Sequence, residues 1–91
     1  MKAAVPCRAN DTASRAIGKK AMIIKTGNYR AYTLNASGTR IWGKINSRNS
    51  ERGIAEKIFA EYDAAKTTVQ RDVRKFLHEL EKEGLLVMKS K

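Results

Sequence analysis

Ninety-one residues, 42% of them hydrophobic, make one domain with a modest core, and the net charge of +10 marks it as strongly basic. One cysteine, Cys7, and one histidine, His78, exclude an intrachain disulfide and a cage of Cys and His ligands around a transition metal. No apolar run has the length of a membrane span or the character of a secretory signal, so a cytoplasmic protein with no cofactor and no membrane partner is expected.

Residues 1–12 mix Pro6, Asn10, Asp11 and basic groups without periodicity and are expected to form a flexible basic arm, with the domain proper at 13–88. Strands are expected at 13–17, 21–24 and 29–34. The first two are joined by a tight turn at Gly18-Lys19, the last two by a two-residue hairpin connection at Gly27-Asn28. The middle strand, Ala21-Met22-Ile23-Ile24, is apolar on both faces. A three-stranded antiparallel meander then leaves 29–34 at an edge, where Arg30 guards against uncontrolled pairing.

Three helices follow. Asn35 has the chemistry of an N-cap, and Gly38, Ile41, Trp42 and Ile45 fall on one face of a helix over 36–45, with Trp42 in the core. Gly43 costs that helix about 1 kcal/mol relative to Ala, so it should be short. Ser50 caps the second helix, which buries Ile54, Ile58, Phe59 and Tyr62 before a break at 63–65. The third runs over 66–83 with Val69, Val73, Phe76, Leu77 and Leu80 as its stripe. Gly84 suits the left-handed position beyond its end, and Leu85, Leu86 and Val87 fold back over the core.

The chemistry-bearing residues do not assemble an enzyme. His78 lies opposite the apolar stripe, Cys7 has no histidine nearby to act as its base, and no glycine-rich phosphate loop is present. Binding is the expected activity. Residues 1–50 carry ten Lys or Arg against the single acid Asp11, while residues 51–91 carry nine against eight. The basic half attracts an acidic partner at long range. Lys66, Gln70 and Arg74 at i, i+4 and i+8 border the third helix's stripe. They are expected to line a groove against the strand Tyr29, Arg30, Ala31, Tyr32, Thr33 and Leu34. A peptide added to that edge would meet Val69, Val73 and Leu77. Asp72, on the flank of the stripe, is read as a structural or surface carboxylate. The alternative is a nucleic-acid binder using Thr67, Thr68, Gln70, Arg71 and Arg74 as a recognition surface. The exposed edge also permits a homodimer in place of a monomer.

The ordered set Leu34-Asn35, Ile41-Trp42, Ser50 before Ile54, Tyr62-Asp63, Asp72-Val73, Phe76-Leu77, Leu80 and Gly84-Leu85-Leu86 resembles the coenzyme PQQ synthesis protein D family. Ala36 and Ser37 stand where the family usually has an acidic residue, and Asn46-Ser47 where Asp-Gly is common. The resemblance implies an α+β, winged helix-turn-helix fold with the meander ahead of three helices. It implies binding of the leader of a ribosomally made precursor peptide between the third strand and third helix. It also implies presentation of that peptide to a radical S-adenosylmethionine enzyme or another peptide-modifying enzyme.

Overall fold

The computed structural model describes residues 4–62 and 64–90. In chain order the elements are β1 (Ala4–Arg8), β2 (Thr12–Ile17), β3 (Lys20–Lys25), β4 (Arg30–Leu34), α1 (Ala36–Gly43), α2 (Glu51–Glu61), α3 (Lys66–Lys82) and β5 (Leu86–Ser90). The expected α+β core is present: an antiparallel sheet in the order β2-β3-β4, followed by three helices. Asn35 caps α1 by accepting the Gly38 amide at 2.8 Å, and Ser50 caps α2 by accepting that of Gly53 at 3.1 Å. The first helix stops at Gly43, as its composition suggested. Gly84, with φ at +79°, takes the left-handed position after α3.

Two expectations about the strands are corrected. The described part of residues 1–12 is no free arm, because Ala4–Arg8 pairs with Leu86–Ser90 as a second, two-stranded antiparallel sheet. Val5, Pro6 and Cys7 are buried there, and the Arg8 guanidinium lies 4.5 Å from the centre of the Trp42 ring while donating to the Trp42 carbonyl at 2.8 Å. Burial pushes the Arg8 pKa below its ordinary value. The hairpin between β3 and β4 is also longer than expected. Lys25 pairs with Arg30, so Thr26, Gly27, Asn28 and Tyr29 all lie in the loop, and the positive φ falls on Tyr29 at 58°. The Asn28 side chain supports this turn by accepting the Arg30 amide at 3.0 Å.

The core joins β3, β4 and the three helices through Ile23, Leu34, Trp42, Ile45, Ile54, Ile58, Val73 and Leu80, closed by Leu85 and Leu86. Each such aliphatic chain contributes about 1.5–3 kcal/mol by leaving water. The buried face of α2 is Ile54, Ala55 and Ile58; Phe59, expected inside, is 39% exposed because it lies one step round the helix. Of the expected break before α3, Asp63 lies outside the described residues. Lys25 fixes α3 to the sheet: its ammonium donates to the Gly84 carbonyl at 2.8 Å and pairs with Asp11 at 3.0 Å. This tie holds the end of α3 beside the meander.

Glu61, at the end of α2, meets Lys44 at 2.7 Å and Arg40 at 2.9 Å. Their hydrogen bonds hold its carboxyl below the usual glutamate range. A depressed folded-state pKa stabilises above the unfolded value and loses its effect as pH falls through the folded one. Glu61→Gln should therefore lower the urea midpoint at neutral pH, and the gap to wild type should close on acidification. A gap that persists in acid means that the loss is one of packing and not of charge.

Candidate functional site

Hydrogen-bond alternation identifies the free groups of β4. Beyond the Thr12–Lys25 pair, the Thr26 amide donates to the Asp11 carbonyl at 2.7 Å, which makes 11 and 26 a hydrogen-bonded pair. Lys25, Ile23 and Ala21 consequently turn their backbone groups toward β4, where they meet Arg30, Tyr32 and Leu34. Ala31 and Thr33 point their N–H and C=O groups away from the sheet. Among the described residues no strand pairs with that edge. Side chains alternate the other way: Leu34 is buried, Tyr32 packs against the core, and Ala31 and Thr33 are exposed on the opposite face.

On the sheet side of α3, Glu83 meets β4 and Phe76 meets the start of α1, and helical spacing puts Asp72 and Glu79 on the same border of the stripe. The Tyr32 hydroxyl donates to Glu83 Oε2 at 3.2 Å, and the Arg30 guanidinium lies 4.0 Å from the same oxygen. Phe76 packs at the start of α1, where a Cβ placed on Gly38 would lie 3.2 Å from its ring. The missing side chain of Gly38 is what allows α1 and α3 to approach at that point. Asp72 stands exposed beside a hollow of about 220 Å³ bordered by Ser37, Ile41 and Tyr62, with Val69 and Val73 also among its lining residues.

The expected Lys66, Gln70 and Arg74 wall is corrected. Gln70 and Arg74 border the opposite side of α3, around a depression of about 410 Å³ shared with Glu51, Arg52 and Ala55 of α2. Arg74 pairs there with Glu51 at 3.2 Å, and Lys66 is the exposed first residue of α3. The sequence places the stripe but does not say which neighbour takes each flank. Of the three apolar residues expected to meet a peptide, Val69 and Val73 reach the hollow, while Leu77 adjoins His78 and Met88 on the other side. Tyr29 lies in the loop before β4 and is 87% exposed. Phe76, Glu79 and Glu83 went unrecognised as a wall; the pairing of a small Gly38 with a large Phe76 was the available signal.

No curated protein matches this chain. Two solved structures share its fold. TbiB1 in complex with the TbiA(beta) leader peptide aligns at 29% identity with a TM-score of 0.83, covering 88% of this chain and 93% of that one. Lasso peptide synthetase B1 complexed with the leader peptide aligns at 15% identity with a TM-score of 0.81, covering 90% of this chain and 96% of the other. The family pattern of coenzyme PQQ synthesis protein D matches residues 21–86, from the central strand through all three helices to the first residue of β5. With most of the chain matched in this way, the protein belongs to the coenzyme PQQ synthesis protein D family.

Proposed function

We propose that this chain binds the leader segment of a ribosomally made precursor peptide as an added strand on β4 and presents it to a modifying enzyme. The observation that carries the reading is the free edge at Ala31 and Thr33, set beside a second wall built from Asp72, Phe76 and Glu83. Backbone bonds along such an edge supply affinity, and side chains entering the groove supply selectivity. Family membership and the two leader-peptide complexes among its structural neighbours support the same reading. In this reading the fold is a winged helix-turn-helix whose wing serves as the peptide site. The protein acts in the cytoplasm by binding rather than catalysis. Its enzyme partner is of the radical S-adenosylmethionine type, as in pyrroloquinoline quinone synthesis, or another peptide-modifying class.

The acidic border on α3 changes the expected character of the ligand. The basic half of the chain attracts an acidic leader at long range, whereas leader side chains directed at Asp72 and Glu79 are basic.

A salt series tests the reading against nucleic-acid binding. Strand addition should give a shallow dependence of leader affinity on salt. Binding of random duplex DNA through many phosphates would instead lose about three to five decades between low and moderate salt. Tight, steeply salt-sensitive DNA binding with no binding of candidate precursor leader peptides would overturn the proposal.

A further inference from the structure

Only one face of the meander is covered. Along β3, Ala21 and Ile23 are 5% and 0% exposed, whereas Met22 and Ile24 are 40% and 41% exposed. The register sets Arg15 and Thr33 beside Met22 on this outer face, and Ala13 and Ala31 beside Ile24. Ile17, at the end of β2, is 66% exposed. Two shallow depressions of about 280 and 230 Å³ border on Ile17 and Met22. Thr or Lys would serve a solvent-facing strand position equally well, so the fold itself does not call for this exposed apolar group.

We propose that this outer face is the docking surface for the peptide-modifying enzyme, and that the bound leader completes it. The inference rests on the leader-binding reading above. Charge selects the occupant. Arg15 and Lys20 border the apolar centre, Lys19 lies in the turn joining their strands, and β2, β3 and β4 contain no Asp or Glu. A second copy would bring these cations together on a chain of net charge +10. The face therefore fits a protein surface with an apolar centre and a rim of carboxylates. Continuity supplies the second argument. Ala31 and Thr33 belong both to the outer face and to the free edge of β4. A leader strand added there sends alternate side chains toward α3 and the others onto the outer face. An enzyme seated on that face touches carrier and peptide together, and so distinguishes the loaded carrier from the empty one.

The test titrates the carrier against a purified radical S-adenosylmethionine peptide-modifying enzyme by biolayer interferometry, with and without saturating leader peptide. Wild type should bind more tightly when loaded. Ile17→Thr and Arg15→Glu, both at exposed positions, should each weaken enzyme binding about tenfold while leaving leader affinity unchanged. Enzyme binding that is absent in wild type, or unaltered in both variants, overturns the proposal. So does a wild-type dimer in sedimentation that Ile17→Thr disperses, which would make the occupant a second copy. Binding of vesicles of phosphatidylcholine and phosphatidylserine that both variants abolish, with enzyme binding intact, would make it a membrane. Loss of leader binding in wild type would strike the proposed function instead, and the leader-free titration reads the docking face separately.

Discussion

Thr33→Pro should lower leader affinity about tenfold or more while the protein stays folded, as read by calorimetric titration beside a thermal melt. Its amide points away from β3, so proline removes no bond of the existing ladder, which runs through Arg30, Tyr32 and Leu34. Proline is tolerated at an edge of this kind, and its restriction of the preceding residue to extended backbone suits Tyr32, which is already in a strand. The incoming peptide loses a donor worth about 0.5–1.5 kcal/mol and meets a ring where its backbone must lie. Tyr32→Pro is the opposite case: it removes a ladder donor and should destabilise the domain itself. Arg74→Glu should leave leader affinity within about twofold, since Arg74 faces Glu51 across α2 and α3 and an exposed pair is worth about 0–1 kcal/mol. If Thr33→Pro and Ala31→Pro both fold and bind the leader as wild type does, the peptide does not use this edge.

What could be read from the sequence was whatever local chemistry decides. Asn35, Ser50 and Gly84 mark helix ends because a cap or a left-handed residue acts within one turn. The Val69, Val73, Leu77 and Leu80 stripe is visible because the helical period is fixed. The strand at Ala4–Arg8 was hidden because its partner lies at the other end of the chain and Pro6 suggested a loop. Its uncharged centre, Val5-Pro6-Cys7, was the signal available. The wall facing β4 was misassigned for a related reason: which flank of α3 meets the sheet depends on the packing of α1 and on the Lys25–Gly84 tie, both long-range. Met22 and Ile24 made β3 read as a middle strand apolar on both faces, and it is the middle strand, but the fold covers only one of those faces.

Trp42→Ala should be the most destabilising single change in α1, by about 3–5 kcal/mol in a urea titration. The side chain is 3% exposed, packs with Ile41 and Ile45, and carries the Arg8 guanidinium on its ring. A domain of this size has about 5–15 kcal/mol in total, so the variant would be marginal at room temperature. Trp42→Phe separates the causes. The indole Nε1 is buried with no hydrogen-bond partner among the described residues, a defect that costs about 1–3 kcal/mol and that phenylalanine removes. The smaller ring gives back part of that gain through lost contacts and a weaker cation–π interaction with Arg8. These terms are of similar size, so Trp42→Phe should lie within about 1–2 kcal/mol of wild type, far from Trp42→Ala. A loss in Trp42→Phe as large as in Trp42→Ala would mean that the indole N–H has a partner, such as a buried water, and that the site is polar where the fold shows it apolar.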